Sequence, residues 1–155
     1  MSWSVVLGGF RYLSKALLLL VALVSFAQAW AAEWPPSSWT QAVQPFRIAG
    51  PVYYVGSRDL SAYFIHGSTC SILVNVGLAE NAEPVLRNIE TLGFSNDDVQ
   101  HLLITQAHFD HAGGAEFVRD KTGASVYAGR GDVAFLHSGG LNDHVFGDEY
   151  PFLAV

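Results

Sequence analysis

Residues 104–114 read ITQAHFDHAGG and place Gln106, His108, Asp110 and His111 straight after an apolar run and straight before two glycines. Imidazole nitrogen and carboxylate oxygen are the donors that borderline cations such as zinc accept, and catalytic sites combine three protein ligands with a water. Two imidazoles and a carboxylate crowded together are costly to hold unless something cationic sits among them. In an extended turn Gln106, His108 and Asp110 alternate toward one side, while His111 projects differently. On that spacing Gln106 and His108 serve one metal, and Asp110 and His111 serve a second. Water held there would lose a proton near neutral pH and become a nucleophile. Gly113 and Gly114 leave room for close backbone approach at the start of the next helix.

The plain alternative is a polar surface turn whose histidines are exposed by chance. The elements upstream weigh against it. FRIAGPVYYVG and LSAYFIHG read as two strands, rich in β-branched and aromatic residues and separated by Gly-Ser-Arg-Asp. Gly67-Ser68-Thr69 is a turn, and Cys70–Val76 is a third strand with a continuous apolar core. Asn81 is placed to cap a helix that carries Pro84 in its first turn and Val85, Leu86, Ile89 and Leu92 at helical spacing. Gly93 suits the left-handed residue that ends it. Val99–Thr105 is the next strand. Strand, helix and strand over residues 70–105 make a βαβ unit with parallel pairing, so the fold class is α/β. The cluster begins one residue after that last strand, at the carboxyl end where open α/β sheets gather ligands. Downstream, GGAEFVRDKTG reads as a short helix, ASVYAG as a strand and RGDVAFLHSG as another helix.

Composition narrows the function. The chain has 155 residues, 50% hydrophobic and 14% charged, with a net charge of −6. Arg11 and Lys15 precede ALLLLVALVSF, and AQAWAA follows, which are the parts of a secretory signal peptide over residues 1–31. The apolar run is shorter than the roughly 20 residues of a membrane span, so stable anchoring after cleavage is not expected. Cleavage removes two positive charges and no negative ones, leaving an acidic domain over 32–155 in the periplasm or outside the cell. No basic run exists, which argues against nucleic acid as a partner. EWPPSSWTQAVQPFRIAGP reads as an extended arm laid across a surface, and Pro35-Pro36 rules out helix there. The single Cys70 lies in CSILVNV and reads as a small buried hydrophobe. His66 ends a strand, His101 begins one, His137 and His144 sit in helix and loop without partners nearby, and Asp148-Glu149 reads as a solvated turn.

The stretch QAHFDHAGG resembles the H-x-H-x-D-H signature of the metallo-β-lactamase superfamily. The order of elements from PFRIAGPVYYVG to NDHVFGDEYPF is similar to the third metallo-β-lactamase subclass. The resemblance implies a four-layer αββα sandwich, of which this chain would be the N-terminal αβ half, C-terminally truncated. It also implies a hydrolase binding one or two Zn2+ ions and opening β-lactam rings with metal-bound hydroxide, hence antibiotic resistance. Asp110 would ligate zinc and orient the nucleophile or shuttle its proton. Lactone, ester or thioester hydrolysis on the same fold is the alternative, as is a catalytically inactive fragment. Three departures stand out. Gln106 replaces the first motif histidine, and a neutral carboxamide is the weaker zinc ligand, so the Asp110/His111 site is expected to dominate. Asn75-Val76-Gly77 stands where the family usually has Asp-Thr-Gly, whose acidic residue supports the metal loop. The family's remaining histidine ligands would lie beyond residue 155.

Overall fold

The computed structural model describes residues 34–146 and 148–155; the segment read as a signal peptide lies outside them. Phe46–Ala49 (β1) and Val52–Tyr54 (β2) form a hairpin turning at Gly50-Pro51, with Ala49 paired to Val52. The single strand expected through FRIAGPVYYVG is therefore two. Gly50 takes a φ of +50°, a left-handed value that turns the chain, and Pro51 lacks the N–H needed to continue a ladder. Tyr63–His66 (β3) and Ser71–Val74 (β4) extend the antiparallel run.

Cys70 is exposed, not buried as its apolar run suggested. The Gly67 N–H donates to the Cys70 carbonyl at 3.0 Å, so Cys70 closes the turn between β3 and β4 and never enters the sheet.

Ala82–Thr91 (α1) then carries the chain to His101–Ile104 (β5), which pairs parallel with β4 as the βαβ reading requires. Val85, Leu86 and Ile89 of α1 are buried, and Gly93 follows with a φ of +91°. Asn81 occupies the capping position but bonds elsewhere. Its Oδ1 accepts from the Leu78 N–H at 3.0 Å and its Nδ2 donates to the Trp39 carbonyl at 3.0 Å. Trp39 is thereby tied to the start of α1, and Ser37–Trp39 is a 3-10 turn rather than fully extended.

Phe109–Ala112 (α2), Ala115–Thr122 (α3), Ser125–Ala128 (β6) and Val133–Ser138 (α4) complete the order, with β6 parallel to β5. The result is a six-stranded sheet in sequential order β1 to β6. Phe64, Leu73, Leu102 and Ile104 meet Val85, Ile89, Val118 and Leu136 in one core cluster, so the helices cover one face. On the other face, cross-strand pairing aligns Phe46, Tyr54, Tyr63, Val74, Leu103 and Tyr127 into a row. Phe46 and Tyr127 are each about half exposed there. One helical layer on one face of a mixed sheet is the αβ arrangement expected from the sequence. No helix among the described residues is long and apolar enough to cross a membrane.

Candidate functional site

The site lies where β4 and β5 end side by side. After Val74 the chain turns through Asn75, whose φ of +57° is a left-handed conformation that Asn tolerates better than most residues. The Asn75 N–H still donates to the Leu103 carbonyl at 2.9 Å, extending the parallel ladder by one step. After Ile104 the chain passes through Thr105, Gln106 and Ala107 into α2, with His108 at its N-terminal cap position. The extended turn expected for the whole cluster stops there. Phe109–Ala112 is helical, so Asp110 and His111 are neighbours on a helical turn and the alternation with Gln106 and His108 is broken. Helix starts here because Gly113 and Gly114 let the turn sit against the β4–α1 loop. A Cβ on Gly114 would lie 2.6 Å from Val76 Cγ1 and 2.9 Å from Ala82 Cβ.

Of the four residues, Asp110 and His111 pair with each other, His108 pairs with a residue outside the motif, and Gln106 stands apart. Asp110 Oδ2 lies 3.5 Å from His111 Nε2. His108 Nε2 lies 3.1 Å from Asp143 Oδ2, which no reading of the sequence had connected to it. Gln106 is half-buried and enters neither pair. Loop 75–77 grips His111 twice: Asn75 Nδ2 lies 3.0 Å from His111 Nδ1, and the Val76 and Gly77 N–H groups both donate to the His111 carbonyl. The Ala107 N–H donates to Asp132 Oδ1 at 3.1 Å, which holds the loop carrying Gln106 and His108 against the start of α4. Around His108, Phe109 stacks on Tyr150 with centroids 4.4 Å apart, and Phe146 meets the His108 ring edge-on at 5.2 Å.

Asp143 is a buried carboxyl whose Oδ1 accepts the N–H groups of Val145 and Phe146 at 2.6 and 3.2 Å. Burial opposes its ionisation. The two backbone donors, with His108 and His144 nearby, outweigh that and hold it below the ordinary aspartate value. The local signal for Asp143 was an Asx-type turn two and three residues on, a pattern that marks a turn but not its target.

The donor types suit a divalent cation. Asp110 Oδ1 is buried and has no hydrogen-bond partner, which leaves an acceptor ready for a cation. The number falls short: among the described residues no three His, Cys, Asp or Glu side chains converge into a metal-holding group. Of the other histidines, His66 Nδ1 lies 2.9 Å from Ser71 Oγ, and the His101 ring packs edge-on against Tyr127. His137 and His144 sit exposed.

The family model of the metallo-beta-lactamase superfamily matches residues 56–151, from the end of the first hairpin through the Asp143 loop. The chain belongs to the metallo-beta-lactamase superfamily. Among solved structures, GOB-18 from Elizabethkingia meningoseptica, a metallo-beta-lactamase, is 41% identical with a TM-score of 0.74; the match covers 79% of this chain and 46% of that one. The class B3 di-zinc metallo-beta-lactamase LRA-12 from an Alaskan soil metagenome is 39% identical with a TM-score of 0.76, covering 79% of this chain and 47% of that one. A hydroxyacylglutathione hydrolase of Rhodospirillum rubrum is 41% identical over 52 residues, 34% of this chain and 19% of that protein. The chain thus spans about half the length of the superfamily structures it matches.

Proposed function

We propose that residues 32–155 carry one part of the active site of an exported, zinc-dependent hydrolase acting on β-lactams. The observation that carries this is the Asp110/His111 pair, with the unpartnered Asp110 Oδ1, set beside the carboxyl ends of β4 and β5 in a chain of this superfamily. Asp110 and His111 would hold one zinc, and His108, with Gln106 as a neutral oxygen donor, would serve a second. A bound zinc supplies Lewis acidity and an acidified water, which is the chemistry amide-ring opening needs.

The chain's own groups have definable tasks around that chemistry. The Asp110 carboxylate holds or passes a proton through Oδ1, the atom left without a partner. Asp143 accepts a hydrogen bond from His108 Nε2–H and so fixes that ring's orientation and leaves Nδ1 with a free lone pair. Phe146, Tyr150 and Phe109 wall the His108 side with apolar surface. The relatedness to a hydroxyacylglutathione hydrolase supports thioester hydrolysis as a second reading of substrate class. Export to the periplasm or beyond rests on the composition of residues 1–31, and mass spectrometry of the exported protein should find a start between Trp30 and Glu33.

The deciding experiment is a zinc titration of the 155-residue chain beside its Asp110→Ala variant, followed by hydrolysis of a chromogenic cephalosporin and of a hydroxyacylglutathione thioester. Zinc binding that weakens at least tenfold in the variant supports the site, and zinc binding indifferent to Asp110 rejects it. Catalytic zinc uses three protein ligands, so turnover by this chain alone is expected to stay close to the variant's.

A further inference from the structure

The orientation of the Asn75 carboxamide is fixed by a group that has no choice. The Thr105 backbone N–H can only donate, and it lies 2.9 Å from Asn75 Oδ1. The amide nitrogen therefore faces the other way, 2.9 Å from Thr105 Oγ1 and 3.0 Å from His111 Nδ1. A proton on Nδ1 would set two N–H groups head to head at hydrogen-bonding distance. The other group in reach, Thr105 Oγ1, is farther from Nδ1 at 3.4 Å and also lies 3.1 Å from Asn75 Oδ1, so Nδ1 accepts from Asn75 and a neutral imidazole carries its single proton on Nε2. That is the nitrogen 3.5 Å from Asp110 Oδ2.

We propose that Asn75 is a positioning residue that holds the metal-free His111 in the Nε2–H tautomer, so that a metal beside Asp110 has to displace that proton and binds more weakly. The consequence for metal rests on the functional reading above; the tautomer does not. Turning the amide over gives no escape, because Nδ2 would then confront the Thr105 N–H. Nor can either residue move away cheaply. Asn75 is only 7% exposed, and the His111 carbonyl is clamped by the N–H groups of Val76 and Gly77. An aspartate at this position would accept from the Thr105 N–H and from a His111 Nδ1–H at once, returning the Nε2 lone pair to the site. Asn and Asp both tolerate the left-handed backbone that residue 75 needs, so the exchange is chemical rather than conformational.

The test is two-bond proton–nitrogen correlation NMR of the metal-free 155-residue chain labelled at histidine, at about pH 8, above the ordinary histidine pKa of about 6.5. His111→Gln identifies the signals. In the unaltered chain His111 should show a protonated Nε2 and a bare Nδ1, and in Asn75→Asp the two should exchange. A His111 protonated at Nδ1 in the unaltered chain overturns the proposal, and this needs no variant to fold. The same tautomer in both chains overturns it as well. Zinc titration of the two chains then separates the two readings. A gain of about 10–100-fold in Asn75→Asp, the usual size of such supporting contacts, supports both. Exchanged tautomers with equal zinc affinity reject the metal site and uphold the role of Asn75.

Discussion

His108 and His111 stand three residues apart in one motif, yet they are held by opposite chemistry. His108 leans on a carboxylate: Asp143 Oδ2 accepts a hydrogen bond from Nε2–H at 3.1 Å and leaves Nδ1 free. His111 leans on a carboxamide: Asn75 Nδ2 faces Nδ1 at 3.0 Å and leaves the proton on Nε2. A ring backed by an acceptor offers its far nitrogen to a metal more readily than a ring backed by a donor. Gln106 had pointed to Asp110 and His111 as the stronger side. The supporting contacts favour His108 instead, so the two sides of the motif are weakened by different substitutions. On the proposed zinc reading, Gln106 gives one a weaker ligand than imidazole, and Asn75 makes the lone pair of the other harder to use.

The comparison can be broken at its foundation first. Gly114→Val places new carbon against Val76 Cγ1 and Ala82 Cβ, at distances of 2.6 and 2.9 Å for the first atom alone. Overpacking of that kind costs about 3 kcal/mol, and a urea unfolding curve should show it, with the grip of loop 75–77 on His111 lost. Removing the carboxylate from the other side is the next largest change. Asp143→Ala should weaken zinc binding about tenfold, the lower end for such a supporting group, and histidine NMR should show His108 losing its single tautomer while His111 keeps its own. Restoring histidine at Gln106 should raise bound zinc after dialysis more than it raises hydrolysis, because it adds a ligand on the His108 side only. Metal analysis beside an activity assay reads this, and unchanged zinc content would show that Gln106 is not limiting.

The smallest effect concerns pH. The Asp143 carboxyl titrates below the ordinary aspartate value in the folded chain. Its ionised form therefore stabilises the fold fully above the unfolded-state aspartate pKa, and that contribution is lost as pH falls through the lowered folded value. Asp143→Asn should be less stable than the unaltered chain at neutral pH and should converge with it in acid, as urea curves at several pH values would show.

The sequence by itself determined the βαβ unit and the place of the motif. Val85, Leu86 and Ile89 recur at helical spacing, and CSILVNV and VQHLLIT are apolar runs that only a buried sheet explains. These are local periodicities, and local periodicity is what a chain displays before it folds. It was misleading where a short turn interrupts a pattern: Gly50-Pro51 splits one expected strand into β1 and β2, and the Gly67–Cys70 turn keeps Cys70 out of the sheet. Which residue supports which ligand was decided only by the tertiary structure. Asn75 reaches Thr105 across 30 positions and His111 across 36, and Asp143 reaches His108 from a loop after α4. Hydrogen bonds of that span have no period and no neighbouring signal, because their partners are brought together by the parallel pairing of β4 with β5 and by the packing of α2 against the loop between β4 and α1. The motif names the donors, and the fold sets which nitrogen carries the proton.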